Sequence, residues 1–521
     1  MKLKTRILGL DAGGKPIVVL NENDAASIGI MSLGRVLVVH KKKKLTAIVN
    51  TSKKAVNEGI VGVFDEVADK LELHESDNVD VEVAKFPESL QYIRNKLKGR
   101  RLAYEEMLEI VKDTVEGRLN ETEVASFVTA LHAFGLDTDE AASLTVAMVE
   151  TGKMLKFNNG PIVDKHSVGG VPGDKTTLLV VPIVAACGLV IPKTSSRAIT
   201  SATGTAERAE VLMPVSLDLE EIKTVIRKTN GCIVWGGSLH LAPADDIFVK
   251  VEYPLSIDPL LLPSIMSKKK AVGAEYVVID IPCGRGTKLK TIGDANLLAK
   301  DFIELGKKLG MKIRCAITYG EQPLGHTIGP ALEAKEALEV LMRRKRVPDL
   351  VDKATHIAGI LLEMTGKAEK GAGKRSGQAI ANDVLMSGDA EKKLREIIFE
   401  QGGNSEVQPE DIKIGDYGFD FIADKNGVVL WINNTGLTEA ARAAGSPKDK
   451  GAGIQLYKKL GDPVKKGEKL FTIYSEKARK LSRATKVLES DNTLGVGERM
   501  EMLIEEVEEL PVHKKLFMLE R

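Results

Sequence analysis

Cysteine is scarce in this chain, and so are the sequence features of secreted and membrane proteins. The four cysteines lie far apart in apolar settings, with no C-x-x-C pair and no metal-site spacing: Cys187, Cys232, Cys283 and Cys315. No apolar signal-type segment stands near residue 1, and no uncharged run reaches the ~18 residues of a membrane span. We therefore expect reduced thiols, a cytoplasmic location, no membrane contact, and no metal or other cofactor.

An excess of charge of either sign is also missing. The 74 Lys and Arg residues balance 73 Asp and Glu residues, and the net charge of +1 gives no reason to expect nucleic-acid binding. The 521 residues are enough for roughly three to four structural units. The lysine run 41–44 is interpreted as a solvated face, whereas the run 268–270 follows a serine-bearing helix and is considered with the site below.

The first 84 residues have the pattern of a β-rich unit. The segment "RVLVVHKKKKLTAIVN" predicts two strands around a basic turn, and "GIVGVFDEVADKL" predicts a strand followed by a short helix. The unit is similar to the double-psi barrels at the front of some archaeal ATPases. Because it contains no recognisable chemistry, we interpret it as an assembly or stability module.

The rest of the chain changes its periodicity twice. From about residue 87 to 155, apolar residues recur at helical spacing between Asn and Asp caps and terminal glycines, which predicts a helical bundle. From about residue 160, strands alternate with helices, which predicts a mixed, mainly parallel sheet. The strands "EYVVIDIP" and "KIRCAITYG" are expected to be buried on both faces. A small β-rich cap begins near residue 427.

The first candidate loop is "DKHSVGGVPGDKTT", residues 164–177. A strand delivers Lys165, His166 and Ser167 to a glycine-rich turn, and the next helix begins at Thr176 and Thr177. Glycines let backbone N–H groups approach a ligand, and the positive end of the helix favours an anion. The loop therefore predicts an anion site, although it could be a plain strand–helix turn and matches no standard nucleotide-binding motif.

The second candidate loop is "SRAITSATGTAERAE", residues 196–210, which again follows a strand and precedes a helix. The guanidinium of Arg197 suits phosphate or carboxylate, and the hydroxyls can donate to oxygen atoms without adding charge. The alternative is structural. Thr205 would cap the helix "AERAE", and Arg197 would form an internal ion pair.

Two further segments carry candidate side chains. In "SIDPLLLPSIMSKKKA", Ser264 and Lys268 are four residues apart and share a helix face, and Asp258 precedes the helix. Asp258 could equally be a helix cap or a turn residue. In "CGRGTKLKT", Lys288 follows a buried strand, although it could be a solvated loop lysine.

Four segments in this order resemble the thymidine and pyrimidine-nucleoside phosphorylase family: "KHSVGGVPGDKTT", "SSRAITSATGTAERAE", "PSIMSKKKA" and "EQPLGHTIGPALEAKEAL". The pyrimidine enzymes look like "SGRGLGHTGGT" where this chain has "SSRAITSATGT". Thr200 and Ser201 thus stand where those enzymes have a small residue and a histidine, and residues 1–84 are extra. In both respects the chain resembles the archaeal AMP phosphorylases. The resemblance indicates that the hydroxyls hold a nucleotide's phosphate.

The resemblance implies an enzyme of the pentosyltransferase class, working as a homodimer or larger homo-oligomer on AMP and inorganic phosphate. The products would be adenine and ribose 1,5-bisphosphate, with CMP and UMP as further substrates. It implies that Asp258 protonates the leaving base. The phosphate would be bound by Lys165, Ser167 and Thr177, with Thr176 nearby. The nucleotide would be bound by Gly170, Ser196, Arg197, Ala198, Ile199, Thr200, Ser201, Thr205, Ser264 and Lys288. His166 and Lys268 are further candidates.

The resemblance also suggests a division of the chain and three rival functions. The units would be 1–84, a helical domain 85–158 with about 245–272 added, an α/β domain of 159–244 and 273–425, a C-terminal α+β domain 426–505, and a tail. The rivals are a thymidine or pyrimidine-nucleoside phosphorylase, an anthranilate phosphoribosyltransferase, and a non-catalytic assembly protein. An anthranilate phosphoribosyltransferase would need Mg²⁺, and the sequence shows no paired-acid motif in a position to bind it. A non-catalytic assembly protein would be expected to have lost Lys165, Ser167 or Arg197.

Overall fold

The structure is a computed structural model that describes residues 1–157, 160–198, 201–368, 375–490 and 493–498. Ile199 and Thr200, both expected in the nucleotide site, lie outside the described residues. The same holds for the predicted tail 506–521 and for the last residues of the predicted C-terminal domain.

The N-terminal unit is a closed six-stranded barrel. Its strands are β1 (Lys2–Ile7), β2 (Ile17–Asn21), β3 (Arg35–His40), β4 (Lys43–Ser52), β5 (Ile60–Val63) and β6 (Asn78–Val83), with helices α1 (Glu22–Ser27) and α2 (Asp65–Leu71). The strand order is β1-β5-β2-β4-β3-β6, with β1/β5 and β2/β4 parallel and the other pairs antiparallel. The β-rich unit is confirmed, including its basic hairpin, and its double-psi character stays a prediction.

The barrel is fastened to the helical bundle by a buried arginine. Arg35 is 4% exposed, donates to the carbonyl of Arg118 over 2.7 Å, and pairs with the carboxylate of Glu123. A Cβ on Gly117, at φ +73°, would lie 2.8 Å from Pro16 Cδ, so the two units touch closely here. A second ion pair, Lys15 with Glu121, is exposed.

The helical bundle forms as its caps predict. Its helices are α3 (Ser89–Lys96), α4 (Tyr104–Val115), α5 (Glu121–Phe134) and α6 (Thr138–Glu150). The side chains of Asn120 and Asp137 accept backbone N–H bonds at the starts of α5 and α6. Phe127 of α5 is fully buried and packs against Phe248, which comes from a later helix in the chain.

The following region alternates strands and helices. Its strands are β7 (Val163–Ser167), β8 (Ile191–Ser195), β9 (Gly231–Trp235), β10 (Tyr276–Cys283), β11 (Lys312–Tyr319) and β12 (Thr327–Ile328). Its helices are α7 (Thr176–Ala186), α8 (Thr205–Ala209), α9 (Leu219–Thr229), α10 (Pro243–Leu255), α11 (Leu261–Ala271), α12 (Ile292–Lys308), α13 (Pro330–Leu341), α14 (Pro348–Met364), α15 (Gly377–Ser387) and α16 (Asp389–Glu400). Short 3-10 turns occur at Gly236–Leu239 and Pro409–Asp411.

The sheet of this region is parallel throughout its five main strands. β11, β10 and β7 are adjacent, β8 pairs with β9, and a parallel bridge from Ile162 to Val190 joins the two groups. Residues such as Val278 and Ile191 face a core with α7, α14 and α16, whereas Val277 and Val190 face a second core with α9, α11 and α12. Both faces of the sheet are thus covered by helices, as the strand–helix alternation predicts.

One expectation about this sheet is wrong. β10 is buried from Val277 to Cys283, as predicted, but in β11 only Ile313 is buried, because β11 forms the edge of the three-stranded group. Four of its residues are exposed: Lys312, Arg314, Ile317 and Tyr319. The strand is therefore not covered on both faces.

The C-terminal region combines two small sheets with two helices. Its strands are β13 (Tyr417–Ile422), β14 (Gly427–Ile432), β15 (Gly453–Leu456), β16 (Pro463–Val464), β17 (Lys469–Ser475) and β18 (Leu494–Gly497), and its helices are α17 (Asn434–Ala444) and α18 (Ala478–Ser490). One sheet has the order β12-β15-β17-β13 and the other β16-β14-β18. β12 thus ties the α/β region to the C-terminal region, which has the predicted α+β composition.

We predict that Arg35→Met loosens the barrel from the bundle. The change leaves the Glu123 carboxylate without its buried cation, which costs about 3 kcal/mol for a largely buried pair. Hydrogen–deuterium exchange of residues 113–124 should therefore become faster. Lys15→Met is the matched control, because its exposed pair contributes little. Equal exchange in the two variants would contradict the anchoring role of Arg35.

Candidate active site

The glycine-rich loop after β7 brings a buried lysine to the start of α7. Lys165 is 3% exposed, and its ammonium donates to the hydroxyl of Thr176 over 3.3 Å. The hydroxyl of Ser167 accepts the N–H of Gly169 over 3.3 Å. The side chains and the helix end are thus assembled at the carboxyl edge of the sheet, which is where doubly wound sheets bind ligands.

Gly170 lies where this loop meets the loop after β10. Its φ is +96°, and a Cβ there would lie 3.0 Å from the backbone nitrogen of Lys288 and 3.2 Å from Thr287 Cα. A side chain at this position would strain the backbone and separate the two loops. Glycine is therefore required for the close approach that brings Lys288 beside the first loop.

A buried lysine, Lys353, lies between two aspartates and supports the glycine-rich loop. The Lys353 ammonium lies 3.3 Å from Asp174 and 2.8 Å from Asp280, and Asp280 also accepts a 2.6 Å hydrogen bond from Thr318. Burial alone would raise the pKa of Asp174, but the charges of Lys353 and Lys165 lower it far below its ordinary value. Asp174 in turn accepts the N–H and the hydroxyl of Thr176, which fixes the first turn of α7.

The buried ammonium of Lys165 would be stabilised by a bound anion. Burial lowers the pKa of its ammonium below the ordinary value, Asp174 and Asp280 oppose that effect, and Lys353 and Arg208 add to it. An anion bound beside Lys165 would offset the cost of its buried charge. Burial and the nearby lysines, Lys269 first, also lower the pKa of His166 well below its ordinary value, so His166 is neutral at neutral pH.

Arg197 is held by an internal ion pair. Its guanidinium donates to both oxygens of Glu210, over 3.1 and 2.7 Å, and lies 4.9 Å above the Trp235 ring. The hydrogen bond from Arg197, assisted by Lys450, lowers the pKa of Glu210 to about 2. The structural alternative foreseen for Arg197 is therefore present, and its guanidinium remains partly exposed beside the loop.

The helix after this loop begins one residue earlier than a Thr205 cap would require. Thr205 is the first residue of α8, and the capping residue is Gly204. Glu207 accepts the backbone N–H groups of Gly204 and Ala198, each over 3.0 Å. The Thr205 cap is wrong, because the helix begins one residue earlier than that cap requires and Thr205 already lies inside it.

The C-terminal region closes one side of the same loop. Arg442 of α17 donates to the carbonyl of Ser201 over 3.1 Å, and the Ser446 hydroxyl donates to that of Ala202 over 2.8 Å. From the other side, Arg208 donates to the carbonyl of Thr203 over 3.1 Å. Sequence reasoning missed all three supports. Arg442 and Ser446 lie more than 200 residues from the loop, beyond the reach of local patterns.

Asp258 and Lys288 meet across the site. The Lys288 ammonium lies 2.9 Å from the Asp258 carboxylate, and both side chains are about half exposed. Asp258 lies in the turn between α10 and α11, and the capping residue of α11 is Leu260, so the helix-cap alternative for Asp258 is wrong. Ser264 lies in the first turns of α11.

The lysine run 268–270 is anchored at each position. Lys268 lies 2.5 Å from the buried Asp245, whose charge raises the lysine pKa against the effect of burial. Lys269 lies 2.7 Å from Asp164 of β7, and both are buried. Lys270 donates to the carbonyl of Leu309 over 3.0 Å. The run thus fixes α11 against the sheet.

Sequence analysis did not single out several residues that support the site. Asp174 stood within the first motif, but its partner Lys353 follows 179 residues later. A usable signal was the single lysine inside the otherwise apolar face of α14, since buried lysines need partners. Glu207 and Glu252 are buried carboxylates that helical spacing alone does not distinguish from exposed ones.

Two classes of site are not found in the described part of the chain. Within these residues, no cluster of three or more His, Cys, Asp or Glu side chains has an arrangement that could hold a metal ion. Among the described helices, none is both long and apolar enough to cross a membrane. The four cysteines, all of them described, are free thiols.

Family models match three parts of the chain. Residues 90–152 match the glycosyl transferase family helical bundle domain, residues 159–391 match its a/b domain, and residues 428–494 match the pyrimidine nucleoside phosphorylase C-terminal domain.

Curated relatives match it over nearly its whole length. An AMP phosphorylase from Thermococcus kodakarensis is 51% identical over 486 residues, which is 93% of this chain and 95% of that protein. One from Thermofilum pendens is 48% identical over 98% of both chains, and one from Methanocaldococcus jannaschii is 48% identical over 93% and 95%. The chain belongs to the AMP phosphorylase family.

A solved structure shares the fold of part of the chain. Anthranilate phosphoribosyltransferase from Thermus thermophilus is 20% identical, with a TM-score of 0.51, and the match covers 60% of this chain and 99% of that one. The likeness concerns the fold alone. The AMP phosphorylase relatives match at least 93% of this chain, so their similarity extends well beyond this shared core.

We predict that Lys353→Met destabilises the protein by about 3–5 kcal/mol, because Asp174 and Asp280 would lose the cation between them. The pKa of Asp174 is lowered on folding, so its contribution to stability is present above its unfolded pKa of about 3.9 and is lost as the pH falls. The gap in unfolding midpoint between wild type and variant should therefore narrow in acid.

Lys300→Met, on the exposed face of α12, is the matched control and should unfold as the wild type does. Denaturant titrations at several pH values measure both variants. A gap that stays constant down to about pH 3 would contradict the charge argument.

Proposed function

We propose that this protein cleaves AMP with inorganic phosphate, giving adenine and ribose 1,5-bisphosphate. The observation that carries the proposal is its membership, over nearly the full length, in a family whose relatives bear the name AMP phosphorylase. The site geometry agrees with it. A buried lysine faces a helix N-terminus, a hydroxyl-rich loop lies close by, and a carboxylate stands opposite.

The attacking phosphate is proposed to bind at the glycine-rich loop. Lys165, Ser167 and Thr177 would hold it, with the N-terminal turn of α7 supplying backbone N–H groups. The phosphate oxygen forms a bond to C1′ while the bond from C1′ to the base nitrogen breaks. The sugar gains positive charge in this transition state, so an anion held close to C1′ stabilises it.

The nucleotide is proposed to bind between the loops. Gly170, Ser264 and Lys288 would contact it, together with the hydroxyl-rich loop Ser196, Arg197, Ala198, Ile199, Thr200, Ser201 and Thr205. The 5′-phosphate would lie against the hydroxyls of Thr200 and Ser201. Support comes from the fixed geometry around the described part of this loop, which is braced by Glu207, Arg208 and Arg442.

Asp258 is proposed as the proton donor. As the C1′–N bond breaks, the base gains negative charge, and a carboxylic acid that gives its proton to a ring nitrogen removes that charge. Aspartic acid is ordinarily ionised at neutral pH, so the surroundings must favour its protonated form during turnover. The 2.9 Å ion pair with Lys288 would have to open for the nucleotide to engage Lys288.

The remaining assignments are proposals of the same kind. CMP and UMP would be further substrates in nucleotide salvage or degradation, and the enzyme would act in the cytoplasm as a homodimer or larger homo-oligomer. The barrel, proposed to be of the double-psi type, would serve assembly or stability, because its described contacts are with the bundle rather than with the candidate site. The proposed units are 1–84, 85–158 with about 245–272, 159–244 with 273–425, and 426–505.

We predict that the double variant Thr200→Gly with Ser201→His loses activity on AMP far more than on adenosine. Each hydrogen bond lost to a charged phosphate is worth roughly 1.5–3 kcal/mol, and adenosine has no 5′-phosphate to lose. A phosphate-dependent base-release assay with AMP, adenosine, CMP and thymidine measures the kcat/KM values. An equal loss on AMP and adenosine would contradict the placement of the 5′-phosphate.

The same assay on the wild type tests the proposed function itself. We expect AMP to be cleaved well and unphosphorylated nucleosides poorly. Better turnover of thymidine than of AMP would favour a nucleoside phosphorylase instead.

We predict that Asp258→Asn lowers kcat for AMP by about 10²–10⁴-fold while KM changes little. The amide keeps the size of the side chain but gives no acidic proton. UMP should suffer less, because the carbonyls of uracil spread the negative charge. If kcat for AMP stays near that of the wild type, the proton comes from elsewhere, and His166 is the next residue to test.

A further inference from the structure

The segment "EQPLGHTIGPALEAKEAL", residues 321–338, supplies none of the proposed phosphate or nucleotide contacts, yet it lies directly against the glycine-rich loop. The backbone N–H of Leu324 donates to the carbonyl of Pro172 over 3.0 Å. A Cβ on Gly173, at φ +75°, would lie 2.5 Å from the carbonyl oxygen of Thr327 and 2.8 Å from that of Leu324. The two segments therefore approach each other as closely as a glycine allows.

One lysine joins the loop to this segment. Lys175 is the capping residue of α7 and is fully buried. Its ammonium donates within the loop to the carbonyl of Gly173 over 2.9 Å. It also donates across the contact to the carbonyls of Leu324, over 2.8 Å, and Thr327, over 3.4 Å. The Glu336 carboxylate lies 2.9 Å from the ammonium and balances its charge, so the lysine acts as a cross-link.

The cross-link adjoins the residues proposed to bind the attacking phosphate. Thr176 and Thr177 follow Lys175 directly and begin the first turn of α7, so a shift of Lys175 would move both. The pair of Asp174 with Lys353 holds this turn to α14. Lys175 holds it to the segment that follows β11, which gives the turn a second and independent attachment.

The C-terminal region holds the far side of the same contact. Lys459 donates to the carbonyls of Pro323 and Gly325 and lies 3.0 Å from the carboxylate of Asp349. That carboxylate also accepts the backbone N–H of Gly325 over 3.0 Å. The carbonyls that Lys175 binds are thus part of a segment that is itself fixed.

We propose that Lys175 is a positioning residue for the attacking phosphate: by tying the glycine-rich loop to residues 324–327, it holds the first turn of α7 where the anion binds. This inference rests on the proposed phosphate site but not on the identity of the nucleotide. Donors that are already in place bind an anion more tightly than mobile ones, because less order has to be imposed on binding. Loss of the cross-link should therefore weaken phosphate binding selectively.

The test is Lys175→Met, which removes the ammonium with little change in side-chain length. Glu336 keeps partners in this variant, because the Lys345 ammonium lies 2.8 Å away and the N–H of His326 donates over 3.0 Å. We therefore expect the variant to fold. Its KM for phosphate should rise about tenfold, as expected for a lost ordering contribution. Its KM for AMP and its kcat at saturating phosphate should stay near the wild-type values.

A milder variant and a matched control accompany it. Lys175→Gln keeps a donor for one of the carbonyls, so its KM for phosphate should lie between those of wild type and Lys175→Met. Lys345→Met also takes a cation from Glu336, but the Lys345 ammonium pairs with carboxylates of α13 rather than with loop carbonyls. This control should keep the wild-type KM for phosphate.

Three results would overturn the role of Lys175. They are a wild-type KM for phosphate in both Lys175 variants, a rise in Lys345→Met equal to that in Lys175→Met, and a parallel rise of the KM values for phosphate and AMP. The last result would mean a general loss of structure, which does not distinguish one substrate from the other.

The double variant Ser167→Ala with Thr177→Val separates this inference from the proposed phosphate site. If its KM for phosphate rises while both Lys175 variants keep the wild-type value, the site stands and the role of Lys175 is refuted. If the double variant keeps the wild-type KM for phosphate, both are refuted. The KM for phosphate is measured with whichever of AMP, CMP, UMP and thymidine the wild type cleaves, so a failure of the AMP assignment leaves this test in place.

Discussion

One ammonium group, that of Lys353, organises the edge of the sheet where the candidate site lies. It joins α14 to β10 through Asp280 and to the glycine-rich loop through Asp174. A buried cation without partners would cost several kcal/mol, so the loop, the strand and the helix must be held together for the charge to be tolerated. The start of α7, and with it the setting of Lys165, depends on this arrangement.

Buried ion pairs also fix the helices that pack on the other face of the sheet. The buried pair of Asp164 and Lys269 joins β7 to α11, and Lys268 joins α11 to α10 through Asp245. Charged residues thus fix the relative placement of the strand that carries Lys165 and the turn that carries Asp258. Apolar packing alone would fix that placement less closely, because it is non-directional.

Local pattern was enough for most elements and for the main loops. The capped helices α5 and α6, the basic hairpin of the barrel, and the two strand–loop–helix units all follow from periodicity and caps. Local pattern did not predict the exposure of β11. Its apolar residues resemble those of β10, but the number of neighbouring strands is a property of the tertiary structure. Local pattern also failed for the Thr205 cap, because the helix begins after Gly204 and Thr205 already lies inside it. The partners of Asp174 and of the Ser201 loop are too distant in sequence for local reasoning.

The half-covered strand β11 has a consequence for the behaviour of the protein in concentrated solution. An edge strand presents unpaired backbone groups that could add a strand from another molecule. The exposed charges of Lys312 and Arg314 lie on this strand, and like charges brought together by such pairing would repel. The sheet can therefore end at β11 without inviting edge-to-edge aggregation, even though Ile317 and Tyr319 are also exposed there.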